Sequence, residues 1–289
     1  MVNNLEFYNE NGYLIIKNLI PKHRINSVLE NIFKLYCRYS NDVEDLHNKQ
    51  HPWETEQFHK KLIEFRKTNP KEFGAIYDSL KTSVPVIKLV TDDDVVTNSA
   101  KLLNVEPSDL SNSEPMCRLD APEDARNVIN WHQERAYFPQ NRDGLNGLVC
   151  WIPLADSTEE MGTIHICPKS HQDGLMKVNP KNKDSELKTT QITVPEENVK
   201  KFDDVIVSVN AGDAVFFNML LFHRSGHNSS NHFRFSVQAR FHKATAEDFI
   251  PFELINYYNP DIKKKVEEKY DCSDIPNNKR QPPVAQYYN

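Results

Sequence analysis

The feature that most constrains this chain is a series of short apolar runs between residues 127 and 241. They read "NVINWH", "GLVCWIPL", "GTIHICP", "DDVIVSV", "DAVFFNMLLFH" and "FRFSVQARF", each bounded by turn-forming residues. Most follow one another with no helical stretch between, which points to antiparallel strands closing into a sandwich or barrel. Six of the eight glycines lie between Gly144 and Gly226, where tight turns need positive φ. The preceding segment differs in period. Ile25, Val28, Leu29, Ile32, Leu35 and Tyr36, then Phe58, Leu62 and Phe65, then Phe73, Ile76 and Leu80 recur at helical spacing, so residues 22–80 read as helices.

In "FRFSVQARFH" the alternation has two readings. Phe233, Phe235, Val237, Ala239 and Phe241 share one face, and Arg234, Ser236, Gln238, Arg240 and His242 the other. Either the polar face meets water, or helices cover the aromatic face and the polar one lines a cavity. "PDIKKKVEEKY" is a short charged helical candidate, and the end from about Pro251 reads as an ordered flap or a loose tail.

At 289 residues the chain has ample length for a core without staples. Its five cysteines form neither an even set nor a CxxC pair, which argues against a disulfide framework or a thiolate zinc site. A reducing, cytoplasmic setting is expected, and no apolar run reaches the roughly 18 residues of a membrane span. A net charge of −6 with scattered basic residues argues against a nucleic-acid footprint.

"NVINWHQERAYFP" places His132 and Glu134 two apart, so on an extended strand both could reach one ion. Alone, this spacing is common by chance and more often structural. An iron site of two histidines and one carboxylate needs a second imidazole. His23, His47, His51 and His59 lie in polar helical context and read as solvated; His165 and His171 are weaker candidates than His223, which ends a strongly apolar run. Arg234 follows His223 by eleven residues across a polar turn, so a hairpin can return it beside the same cavity. A buried guanidinium there needs an anion, and a ligand that chelates a metal at one end and offers a carboxylate at the other describes 2-oxoglutarate.

Four motifs carry a resemblance: "FYNENGYLIIKNLIPKHRINSVLENI", "WHQERAYF", "LVCWIPLADSTEEMGTIHICPKSHQDG" and "GDAVFFNMLLFHRSGHNSSNHFRFSV". In this order they are similar to the phytanoyl-CoA dioxygenase family of Fe(II)/2-oxoglutarate oxygenases. The resemblance implies a mainly β fold, a double-stranded β-helix (jelly roll, cupin-like) with N-terminal helices packed on its outer face. It implies a single oxygenase domain over 1–289, with a helical part at 1–110, a barrel core at 111–245 and an extension at 246–289. His132, Glu134 and His223 would bind Fe(II). Arg234, Ser225, Gln133 and Met116 would contact 2-oxoglutarate, with O2 as the second cosubstrate.

The family's usual carboxylate is aspartate, one methylene shorter than Glu134; Met161, Lys169 and His227 stand where asparagine, glycine and proline are common, and His227 could reach the site. The implied reaction oxidises an unactivated C–H of a small molecule, hydroxylation by default, with release of succinate and CO2. Glu134 argues against halogenation, while desaturation or cyclisation stays open. Arg118, Arg135, Arg142 and Lys169 flank the motifs and suit an anionic substrate, or are solvated loop charges. Trp151 and Tyr137 read as packing residues. The competing reading is a non-catalytic or non-redox cupin-like barrel.

Overall fold

The chain is described by a computed structural model covering residues 3–250 except 114, 125–127, 177–178 and 184–189. The C-terminal helical candidate and tail lie outside the described residues. Asn3 and Glu6 close a capping box on α1 (Asn4–Asn11), which ends at Gly12 in the left-handed region with φ 78°. Only glycine fits there, since a Cβ would stand 2.5 Å from the His171 ring. The chain then runs through β1 (Tyr13–Ile16) into α2 (Lys22–Tyr39), whose buried Ile25, Val28, Leu29, Ile32 and Tyr36 form one stripe.

Helices α3 (Glu56–Thr68), α4 (Pro70–Leu80), α5 (Val84–Val90) and α6 (Asp93–Leu102) complete the helical part. Thr55 caps α3 by accepting the Phe58 N–H, and proline opens α4 where no backbone donor is needed. The helices thus extend past residue 80, where periodicity had ended the reading. α5 is too short to show a period.

The strands are β2 (Leu110–Asn112), β3 (Met116–Asp120), β4 (Gly147–Pro153), β5 (Ile164–Ile166), β6 (Asn179–Lys183) and β7 (Thr190–Thr193), followed by the short helix α7 (Glu196–Val199). After it come β8 (Val205–Ile206), β9 (Ala214–Asn218), β10 (His223–Ser225) and β11 (Arg234–Lys243). All pairings are antiparallel. One sheet runs β1-β9-β4-β11, with β2 and β3 both on the far edge of β11; a second runs β10-β5-β8, and β6 pairs β7. No helix among the described residues is long and apolar enough to cross a membrane.

Both faces of β11 are buried, which decides between the two readings of its alternation. Phe233, Phe235, Val237, Ala239 and Phe241 pack in one core with residues of α2 to α5. The opposite face turns Gln238 and Arg240 into a cavity between the two main sheets. His59 corrects the expectation of a solvated histidine: it sits on the inner face of α3 and its Nδ1 accepts the Phe233 N–H at 3.0 Å.

Burial, with His232 beside it, pushes the His59 imidazole down from 6.5 to about 4. The unfolded chain takes up a proton below about 6.5 that the folded chain refuses until about 4. The stability tied to this group is therefore complete above that window and is lost as pH falls through it. His59→Gln is expected to flatten unfolding free energy against pH between 6.5 and 4 in urea titrations. An unchanged slope there would remove His59 as a source of acid lability.

Candidate metal centre

His132 and His223 face each other through a reciprocal backbone exchange, His132 N–H to His223 O at 3.0 Å and His223 N–H to His132 O at 3.1 Å. Directly opposed residues of an antiparallel pair project to the same side, and the two rings stand 4.0 Å apart between centroids. Among the described residues of 127–132 there is this single bridge instead of the expected strand. Glu134 does not continue an extended run either. It opens a 3-10 turn, Glu134–Ala136, because its carbonyl accepts the N–H groups of Tyr137 and Phe138. Gln133 between them is extended, so His132 and Glu134 still project together.

The three donors converge. Glu134 Oε2 lies 3.5 Å from His132 Nε2 and 3.3 Å from His223 Nε2, and all three residues are buried. Ligand atoms about 2.1 Å from a metal and at right angles lie roughly 3 Å apart, so the spacing suits one ion. The outward nitrogens support this: His132 Nδ1 meets Asn130 O at 2.7 Å and His223 Nδ1 meets Leu221 O at 2.9 Å. A carbonyl can only accept, so Nδ1 carries the proton and Nε2 presents a lone pair. Burial would raise the Glu134 carboxyl, yet Arg240 and the two imidazoles hold it well below the carboxylate range; burial and His223 lower His132. An ionised carboxylate beside neutral imidazoles is the protonation state that binds a divalent cation.

The cavity in front of these donors is about 270 Å³. Met116 and Arg118 line it from β3, Trp151 from β4, Ile164 from β5, Phe217 from β9, Arg224 and Ser225 from β10, and Gln238 and Arg240 from β11. Tyr137 meets the His132 ring edge-on at 5.5 Å, and Phe217 lies 4.6 Å from the His223 ring.

The expected cosubstrate contacts divide. Met116 and Ser225 are in the wall. Gln133 is not, because alternation turns it away from His132: its amide donates to Gly174 O and Leu220 O and accepts the Met176 N–H. Arg234 stands beside the cavity rather than in its wall, directly opposite Asp120 across the β3–β11 pair, to which its Nε and Nη2 donate at 3.2 and 2.6 Å. Arg118 grips the same carboxylate, and Arg234 Nη1 and Ser236 Oγ are buried without a partner. His227, expected as a possible reach into the site, instead pairs with exposed Glu123 at 2.9 Å. His165 pairs with Asp204, and His171 contacts Asn9 O.

Lys169 is exposed and paired with Glu10, and Arg135 is buried with its Nε on Arg142 O, so of the flanking basic residues Arg118 is the one in the wall. Lys169 keeps a left-handed conformation, φ 69°, so the turn keeps a glycine-like shape without glycine. Sequence reasoning missed Asp120 and the role of Arg240, whose Nε donates to Glu134 Oε1 at 2.5 Å. The alternation puts Arg240 on the right face, but only Arg234 stands out in the sequence, by its distance from His223.

A family model described as Phytanoyl-CoA dioxygenase (PhyH) matches residues 8–236. The human protein named "Phytanoyl-CoA dioxygenase, peroxisomal" is 27% identical over 251 residues, covering 83% of this chain and 67% of the relative. Among solved structures, the epimerase SnoN in complex with Fe3+, alpha ketoglutarate and nogalamycin RO superposes with a TM-score of 0.59 at 19% identity, covering 86% of this chain and 85% of its own. EctD from S. alaskensis with 2-oxoglutarate and 5-hydroxyectoine gives 0.57 at 14%, covering 86% and 80%. At these identities the likeness is one of fold.

Asp120 neutralises two buried guanidinium groups at once, so Asp120→Asn is expected to destabilise the fold by about 3–5 kcal/mol in denaturant unfolding. A loss below about 1 kcal/mol, the range of exposed pairs, would show that the two arginines find other compensation.

Proposed function

The chain belongs to the phytanoyl-CoA dioxygenase family, and from that premise we propose that it is a non-heme Fe(II)- and 2-oxoglutarate-dependent dioxygenase built on a double-stranded β-helix. The convergence of His132, Glu134 and His223, with both Nδ1 atoms committed to carbonyls, carries this reading. Two imidazoles and one carboxylate leave one face of an octahedral ion open for cosubstrates. When bound, the ferrous ion, 2-oxoglutarate and O2 supply the oxidation of an unactivated C–H, with succinate and CO2 as coproducts and hydroxylation as the outcome.

The chain's own part is binding, orientation and water exclusion. Ile129, Trp151, Ile164 and Phe217 make the cavity wall apolar beside the donors. Asp120 holds Arg118 and Arg234, and Glu134 holds Arg240, so the guanidinium groups of this buried polar cluster stand beside the cavity. Arg234, whose Nη1 has no partner among the described residues, would receive the far carboxylate of 2-oxoglutarate, with Ser225 from the wall. Met116 packs along the cosubstrate. The substrate is a small molecule, in keeping with a cavity of about 270 Å³.

We read 1–110, 111–245 and 246–289 as parts of one oxygenase domain. A cytoplasmic setting suits the unpaired Cys37, Cys117, Cys150 and Cys167.

Anaerobic Fe(II) with 2-oxoglutarate is expected to give a weak visible charge-transfer band that Glu134→Ala and His223→Ala abolish. No band together with no bound metal would overturn the enzyme reading in favour of a non-redox barrel. Arg234→Ala is expected to weaken 2-oxoglutarate binding by about 2–5 kcal/mol, read as Kd by titration. An unchanged Kd would take Arg234 out of the cosubstrate site.

A further inference from the structure

Glu134 has one more rotatable bond than the aspartate common in this family, and the structure shows what occupies its extra reach. Arg240 Nε donates to Oε1 at 2.5 Å, which leaves Oε2 as the oxygen facing both His132 and His223. The guanidinium is held at two of its three nitrogens, its Nη1 being buried with no partner among the described residues. Its Nη2 donates to Gln238 Oε1 at 2.7 Å, and its carbon lies 4.0 Å from the centroid of the Phe138 ring. Phe138 belongs to the turn that Glu134 opens, since its N–H bonds to the Glu134 carbonyl. One turn therefore supplies both the carboxylate and the ring against which the arginine rests. From the other side, Arg240 is held in the β4–β11 pairing opposite Val149, and its backbone N–H meets Asn112 Oδ1.

We infer that Arg240 is a positioning residue that occupies Glu134 Oε1 so that the longer glutamate arm presents a single oxygen, Oε2, to the metal. This rests on the reading of the cavity as a ferrous, 2-oxoglutarate-dependent centre. A carboxylate can bind a metal through one oxygen or two. With two histidines and one oxygen, three of six octahedral positions stay open; a second carboxylate oxygen would take one of them. A chelating cosubstrate and O2 together need three, so a glutamate with both oxygens free would compete with its own reaction. Arg240 removes that competition by a charge-assisted bond that metal binding does not have to break. Partners of this kind, one shell behind the ligands, typically change metal affinity by about 10- to 100-fold.

The test is a double-mutant cycle read on Co(II) binding to the whole chain, by calorimetry and visible absorption with no cosubstrate present. Arg240→Gln is expected to weaken Co(II) about tenfold or more. Glu134→Asp is expected to weaken it too, despite being the family's usual ligand, because the shorter arm cannot reach both Arg240 and the two imidazoles. In the Arg240→Gln background the same Glu134→Asp change should cost nothing further or improve binding. Wild-type affinity in Arg240→Gln, or losses that simply multiply, would overturn the inference. So would an Arg240→Gln protein that binds Co(II) normally but has lost 2-oxoglutarate affinity, which would make Arg240 an anion-binding group. Should Arg240→Gln fail to fold, Glu134→Asp alone decides, and affinity equal to wild type or better overturns it. A wild-type chain that binds no Co(II) would instead mark failure of the ferrous reading.

Discussion

The backbone exchange between His132 and His223 sets the position from which the rest of the centre follows. Two N–H···O bonds between His132 and the first residue of β10, with a third from the Ser225 N–H to Ile129 O, force two side chains onto one side, about one ring width apart. Because β10 is held by β5, and β5 by β8, the second sheet fixes His223. His132 inherits its place through the bridge. Each imidazole is then turned by a carbonyl two residues away in its own chain, Asn130 O or Leu221 O. Two candidate ligands are thus placed by backbone geometry.

The polar part of the cavity is organised as two buried charge clusters on one face of β11. Asp120 holds Arg118 and Arg234; Glu134 holds Arg240 and faces the histidines. Removing such charges from water is costly; the Asp120 cluster offsets the cost with two contacts from each arginine, and the Glu134 cluster with one short bond from Arg240. Both clusters bridge elements that apolar packing alone would not register. The first joins β3 to β11, and the second joins the 3-10 turn after His132 to β11.

Much of this was legible because burial leaves a periodic trace. The runs that became β4, β5, β8, β9 and β11, and the stripes of α2, α3 and α4, were marked by spacing alone, whereas the single run ending at His223 divides between β9 and the start of β10 in two different sheets. The order of strands after a helical part was enough to expect a sheet-built cavity. What escaped has common physical causes. β2 and β3 are short and lie in "DLSNSEPMCRLDAP", where Arg118 and Asp120 are buried by pairing with each other, so no apolar pattern announces them. His59 looked solvated because its partner, the Phe233 N–H, lies 174 residues away. Gln133 was assigned by motif position, while its side chain follows the alternation of an extended residue and turns to backbone partners.

The same limit explains the two arginines of β11. Arg234 and Arg240 share a face, and a strand's period of two cannot say which meets which acid. Cross-strand register does: Arg234 is opposite Asp120, whereas Arg240, six residues along, lies opposite Val149. At that depth it reaches the turn that Glu134 opens. The departure from aspartate was visible in the sequence as an isolated oddity. In the structure it is half of a pair. With both histidines fixed by main chain, the carboxylate is the one ligand whose length can vary, and a longer arm stays compatible with an open coordination face only if something takes up its second oxygen. Arg240 stands where that requirement is met, so Glu134 and Arg240 act as one unit.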